Sequence, residues 1–258
     1  MLVRASGAHA VLSAETRATT PRPVAVVTGG ARRLGRHLST VLAGRGYDVV
    51  ILYRESEADA RSLTEELAAT GGRARALAVD VSVEGQVGDV FANIAATEGR
   101  VDLLLNNVGN YNPQDITLLT PAVWDATLST NLSGAYYCCF HALPLMRSGS
   151  NIINIGMAGL EGTRANVRGA DYYVSKTGLL SLTRSLAKAY AEQHIRVNMV
   201  SPGQLDNSVD LPPPDEIGRW VPLGRAGALT DISQAVEYLL DATYVTGVNI
   251  DVAGGYRL

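Results

Sequence analysis

Cysteine is nearly absent: the 258 residues hold two, Cys138 and Cys139, side by side. Neighbouring cysteines rarely bridge each other, so no disulfide framework is expected, and a reducing, cytoplasmic compartment is. Histidine is scarce as well. His9, His37, His141 and His194 are scattered with no metal-ligand spacing, so no metal site is expected. No apolar run approaches the roughly 18 residues of a membrane helix, which excludes a spanning segment and leaves no membrane partner to expect. Neither sign of charge dominates: 22 Lys and Arg face 25 Asp and Glu, a net charge of −3. That balance leaves no basic footprint for nucleic acid. The first residues lack the apolar block of a signal peptide, and 1–22 are read as a poorly ordered N-terminal extension before a single domain, 23–258.

What the chain does contain is alternation. Short apolar runs begin at Val24, Val49, Ala76, Val101, Ile152, Ile195 and Val248, and amphipathic helical stretches separate most of them. The first such helix carries Leu34, Leu38, Val41 and Leu42 at helical spacing. Ser56 with Asp59 resembles a capping box for the second, and Ser82 is a candidate cap for the third. Near-continuous apolar strands divided by amphipathic helices predict an α/β fold, with a parallel sheet covered by helices on both faces and doubly wound through right-handed crossovers. The proline-rich Leu211-Pro212-Pro213-Pro214 cannot be regular structure; it reads as part of a substrate-covering loop or as a plain surface loop.

Chemistry concentrates in two places. Thr28-Gly29-Gly30-Ala31-Arg32-Arg33-Leu34-Gly35 is a glycine-rich turn between the first strand and first helix, where the pyrophosphate of a dinucleotide sits. Gly29 and Gly35 permit close backbone approach, and Arg32 and Arg33 add positive charge. The second strand ends Leu52-Tyr53-Arg54, with a basic residue where an acid would bind a free ribose 2′-hydroxyl. With Arg32 this favours NADPH over NADH, although Glu55 stands one residue further on. Asp80-Val81 after the third strand is placed to meet the adenine. Asn106-Asn107-Val108-Gly109 after the fourth runs along the cofactor, or satisfies loop backbone groups. The second place is Tyr172 with Lys176. Four residues apart, they share one helix face, and an ammonium beside a phenol favours the phenolate. A nucleotide cradle plus a tuned tyrosine predicts hydride transfer to a carbonyl or imine.

In order, Thr28-Gly29-x-x-x-x-x-Gly35, Asp80, Asn106-Asn107-x-Gly109, Asn131, Tyr172-x-x-x-Lys176, Pro202-Gly203 and Val245-Thr246-Gly247 resemble the short-chain dehydrogenase/reductase family from about residue 23 to the C-terminus. The resemblance implies a single-domain Rossmann fold with a seven-stranded sheet, assembled as a homotetramer or homodimer and acting on a small-molecule substrate. It makes Tyr172 the general acid and Lys176 the residue that tunes it and holds the nicotinamide ribose. Asn131 would anchor a water linking Lys176 to solvent, and Pro202-Gly203 would flank the nicotinamide. Arg33, where most members carry glycine, resembles the pteridine-reductase branch, as do Arg54 and the closing Gly254-Gly255-Tyr256.

One feature of the family is missing. Most members place a serine shortly after the fifth strand, and pteridine reductases an aspartate, whereas this chain has Gly156-Met157. The serine donates a hydrogen bond to the substrate oxygen, a contact typically worth about 100- to 1000-fold in rate. Three expectations follow: another group (Thr163, Tyr173 or a backbone N–H) supplies the bond; the substrate needs none; or the chemistry is an elimination or rearrangement, or has been impaired to leave a cofactor-binding protein. Asn110-Tyr111-Asn112 and Arg164 to Arg168 flank the site and either contact substrate or form mobile loop. The substrates expected are a pteridine-like ring, a β-ketoacyl thioester, or a polycyclic ketone or quinone of a tailoring pathway. The run Ala135 to His141 reads as core or oligomer-interface packing.

Overall fold

The computed structural model of the protein describes residues 22–162, 165–206, 208, 211, 213 and 215–256. The extension at 1–21, Thr163, Arg164, Pro212 and Pro214 lie outside the described residues. The chain alternates β1 (Val24–Thr28), α1 (Arg33–Gly44), β2 (Asp48–Tyr53), α2 (Glu57–Ala69), β3 (Arg73–Ala78), α3 (Glu84–Thr97) and β4 (Leu103–Asn106). The second half runs α4 (Pro121–Leu128), α5 (Gly134–Ala142), β5 (Asn151–Ile155), α6 (Ala170–Ala189), β6 (Arg196–Pro202), α7 (Ile217–Trp220), α8 (Leu229–Asp241) and β7 (Asn249–Val252). The strands form one seven-stranded sheet in the order β3-β2-β1-β4-β5-β6-β7, and every pair is parallel.

Why the strands are apolar runs rather than alternations is visible in the two cores. Successive residues of β1 point to opposite faces. Ala25 and Val27 join Leu38 and Leu42 of α1, Leu63 of α2 and Val236 and Leu239 of α8. Val24 and Val26 join Phe91 and Ile94 of α3 and Cys138 and Cys139 of α5. Each face is sealed by helices, so the central strands are mainly apolar, and buried polar residues such as Asn106 of β4 and Asn154 of β5 bond to each other. Truncating one of these fully buried leucines to alanine costs about 2–5 kcal/mol. The two thiols are part of this packing; burial pushes both well above the ordinary thiol range, which makes them inert.

The chain leaves β1 toward β2 and β3 on one side, then returns to β4 on the other, so the carboxyl ends of β1 and β4 flank the point where the winding reverses. Ligands of open α/β sheets bind at that crevice. Two expected caps differ from the structure. Ser56 makes no side-chain cap bond to α2, and α3 begins after Val83, not Ser82. The Ser82 hydroxyl is drawn instead to Asp80, whose Oδ1 accepts from both its Oγ (2.7 Å) and its backbone N–H (2.9 Å).

Candidate active site

At the winding reversal lies an open cleft of ≈ 520 Å³. The glycine turn forms its floor: Gly29, Arg32, Arg33, Leu34 and Gly35 line it. The far wall is Tyr53, Arg54 and Glu55 after β2, with Asp80 and Val81 after β3 and Asn107 and Gly109 after β4. Twelve positions that the sequence nominated from four separated segments thus meet around one space.

The turn is built by two requirements. Gly29 adopts φ +60°, in the left-handed region that favours glycine. A Cβ at position 35 would lie 2.1 Å from the Gly29 carbonyl oxygen and 2.7 Å from Asn107 Nδ2, so only glycine lets α1 start this close to the turn. Asn107 locks the arrangement, with its Nδ2 donating to Thr28 O (3.1 Å) and Gly29 O (3.3 Å). Thr28 Oγ1 in turn accepts from the N–H groups of Asn107 (2.9 Å) and Val108 (3.2 Å). Thr28 carries this bracing role although the sequence singled it out only as part of a motif; its place as the last residue of β1 is the signal that finds it. Asn107 therefore satisfies loop backbone groups and also lines the cleft. Asn106 turns the other way, into the core, donating to Asn154 Oδ1 at 2.9 Å.

Arg33 is the departure at the turn. Its φ of +48° is unusual for a side chain other than glycine, and that conformation costs of order 1 kcal/mol. The strain holds an arginine at the mouth of the cleft, at the entrance to α1, where the helix dipole already favours an anion. Arg32 lies 3.3 Å from Asp59. Arg54 is held by Glu55 at 2.9 Å and lies 3.7 Å from Asp80. Burial pushes the Asp80 carboxyl up, but the two Ser82 hydrogen bonds and the Arg54 charge outweigh it and hold the group below its usual range. Asp80 stays ionised and anchors both residues.

Tyr172 and Lys176 come from α6, beside the cleft. Lys176 is wholly buried, and its Nζ donates to Ile155 O at 2.8 Å and lies 5.8 Å from the centre of the Tyr172 ring. A Cβ on Gly109 would come within 3.2 Å of Nζ, so the cleft wall touches the lysine. Burial lowers the Lys176 pKa from 10.5 to about 8, which leaves it protonated at neutral pH. The folded chain therefore holds this proton less tightly than the unfolded one, and unfolding takes up a proton between about pH 8 and 10.5. The stability difference between wild type and Lys176→Met is expected to shift in favour of wild type as pH rises across that window. Chemical denaturation at several pH values measures it; a pH-independent difference would contradict the assignment.

Asn131 sits in a single π turn, Ser129–Ser133, joining α4 to α5, a feature frequent at functional sites. Its Nδ2 donates to Asn110 O (2.9 Å) and Ser175 Oγ (3.1 Å), and its Oδ1 accepts from Asn110 N–H (2.7 Å). The side chain thus pins the loop after β4 to the helix that carries Tyr172. Pro202 and Gly203 follow at the end of β6, where Pro202 O accepts from Ala158 N–H at 2.9 Å and a Cβ on Gly203 would meet Ala253 at 2.7 Å. These two residues, Tyr172 and Lys176 are not among those lining the cleft. Buried Asp171 was not foreseen: its Oδ2 accepts from Thr127 Oγ1 at 2.6 Å, tying α6 to α4 next to Tyr172.

Neither Gly156 nor Met157, at the place where the serine was expected, carries a hydroxyl. A Cβ on Gly156 would lie 2.4 Å from Ser201 Oγ and 2.6 Å from Met199 Sδ, so position 156 admits no side chain. Met157 packs, half-buried, on the cluster formed by Leu160, Tyr173 and Leu179.

A doubly wound parallel sheet with a nucleotide-sized cleft at its reversal, a clamped glycine turn and a Tyr-Lys pair beside it defines a dinucleotide-dependent type of site. The chain belongs to the short-chain dehydrogenase/reductase family. The family model described as Enoyl-(Acyl carrier protein) reductase matches residues 29–257. Among curated relatives, Carbonyl reductase family member 4 of Xenopus tropicalis is 37% identical over 240 residues, 91% of this chain and 98% of that protein. The 3-oxoacyl-[acyl-carrier-protein] reductase FabG of Staphylococcus epidermidis is 33% identical over 240 residues, 90% of this chain and 97% of that protein. Among solved structures, a blue fluorescent protein from a metagenomic library, in complex with NADPH, superposes with a TM-score of 0.86 at 32% identity, covering 92% of this chain and 98% of that one.

Proposed function

We propose that this protein is an NADPH-dependent reductase of carbonyl or imine carbons, with Tyr172 as the proton donor. The observation that carries the reading is the wholly buried Lys176 ammonium, set beside Tyr172 and against the cleft wall at Gly109. An isolated buried cation is costly, and no salt bridge to it is found among the described residues. A site that generates a neighbouring phenolate gives that charge a use.

The residues fit NADPH. Gly35 leaves the turn open to a pyrophosphate, Arg32 and Arg33 supply charge there, and Arg54 stands where a 2′-phosphate is received. Asp80 and Val81 meet the adenine, and Pro202 and Gly203 flank the nicotinamide. NADPH when bound supplies hydride to the substrate carbon. Tyr172 gives its Oη proton to the substrate oxygen or nitrogen, Lys176 stabilises the phenolate left behind and holds the ribose, and Asn131 anchors the water through which the proton is restored. The substrate is a small molecule, a ketone of a tailoring pathway or a pteridine-type ring, and the active form is a homodimer or homotetramer. No helix among the described residues is long and apolar enough to cross a membrane.

Arg54 gives the selective test. Arg54→Ala should weaken NADPH binding by about 1–3 kcal/mol, the worth of a charged hydrogen bond, and leave NADH nearly unchanged. Equal losses for both cofactors in a fluorescence titration would refute the 2′-phosphate assignment.

A further inference from the structure

We propose that Thr127 and Asp171 are positioning residues for the reaction: the hydrogen bond between them fixes the rotation of α6 about its axis and so aims the Tyr172 hydroxyl. This rests on the reductase reading above and extends it to two residues that nothing else assigns to the chemistry. Tyr172 is the third residue of α6, in a first turn whose N–H groups have no partners within the helix and which is prone to fray. The N-cap, Gly169, has no side chain with which to close that turn. Asp171 holds it instead. Its side chain is buried, and Oδ2 accepts from the buried Thr127 Oγ1 at 2.6 Å. A hydroxyl donating to a carboxylate at this distance makes a bond roughly twice as strong as a neutral one.

The bond is the first rung of a ladder. Thr127 lies in the last turn of α4; four residues on, in the π turn, Asn131 Nδ2 donates to Ser175 Oγ (3.1 Å), which donates to Tyr172 O (2.7 Å). Next to it Leu132 packs on Gly178, where a Cβ would come 2.9 Å from Leu132 Cδ2. Asp171, Ser175 and Gly178 stand at i, i+4 and i+7, so they form one stripe along α6. Tyr172 and Lys176 form the neighbouring stripe, about 100° around the helix. The ladder thus fixes α6 on either side of Tyr172. Thr127, Asn131, Asp171 and Ser175 are each at most 2% exposed. Apolar side chains would also hold two helices together, but such contacts are non-directional, whereas a buried hydrogen bond admits one rotation. Any turn of α6 sweeps the phenol oxygen, at the far end of its side chain, through a larger arc than the backbone. A misplacement of about 1 Å at a reacting group can cost roughly 100-fold in rate.

The test compares Thr127→Val, which keeps the shape and removes the donor, with Thr127→Ser, which keeps the donor. Phenanthrenequinone or an acetoacetyl thioester, whichever wild type reduces, serves as the carbonyl probe with NADPH. Thr127→Val should lower kcat at least about tenfold with KM and NADPH affinity within about twofold, and Thr127→Ser should stay within about twofold of wild type throughout. Asp171→Asn keeps an acceptor and loses the charge, and should lower kcat about threefold with the same unchanged KM. It tests the bond again should the valine variant not fold. A role in stability alone would lower the melting temperature and leave kcat of the folded enzyme at the wild-type value. That result in Thr127→Val or, where it does not fold, in Asp171→Asn would overturn the proposal, as would a kcat loss that Thr127→Ser shares. Failure of wild type itself to oxidise NADPH with either probe would instead count against the reductase reading, so the two failures are distinguishable.

Discussion

Tyr172→Phe is expected to abolish measurable turnover while leaving NADPH affinity within about twofold of wild type. The substitution removes one hydroxyl and keeps the ring that packs against Tyr111. General acid catalysis contributes about 10²–10⁴-fold, so the loss should fall in kcat and in kcat/KM alike. Lys176 remains seated on Ile155 O, and none of the residues lining the nucleotide cleft changes. A steady-state assay with a parallel binding titration separates the two quantities. Retained turnover in the variant would remove Tyr172 from the mechanism.

Gly35→Ala should be the most damaging change in the cofactor cradle. The added methyl would lie 2.1 Å from a backbone carbonyl oxygen, which no side-chain rotation relieves. Either α1 moves away from the turn or the turn opens, and overpacking of this kind costs about 1–3 kcal/mol. Both movements break the Asn107 clamp, so NADPH affinity should fall by at least about tenfold together with the melting temperature. Gly44→Ala is the control: it lies in the same helix with nothing within 4 Å of its would-be Cβ, and should do neither. An unaltered Gly35→Ala protein would mean that the close approach of turn and helix is not needed for binding.

Much of this was legible in the sequence for a physical reason. A central parallel strand is covered on both faces and favours apolar residues, so β1, β2 and β4 announce themselves as runs, while β5 and β6 keep an apolar core around buried polar residues such as Asn154 and Asn198. β3 is less clear because it is the sheet's edge. It begins at Arg73, three residues before the apolar run at Ala76; Arg73 is exposed, and the half-buried Arg75 is paired to Glu98 at 2.5 Å. The turn after β1 was legible because so close an approach of strand and helix demands glycine at particular places, and Gly29 and Gly35 occupy them.

The remainder depends on contacts between distant segments. The Ser82 cap failed because a neighbouring carboxylate, Asp80, competes successfully for the hydroxyl. The π turn at Asn131 leaves no compositional trace, and its grip on Asn110 spans 21 residues. The Ile116–Val167 and Gly169–Gln114 bonds are purely backbone, so no side chain advertises the contact between these two loops. Met157 was conspicuous as a departure, but its packing against Leu160, Tyr173 and Leu179 emerges only once the loops are folded together.

The account's central claim is most directly tested by titrating the purified protein with NADPH and with NADH and following nucleotide fluorescence. It predicts tight, saturable NADPH binding and much weaker NADH binding. No binding of either nucleotide would contradict it.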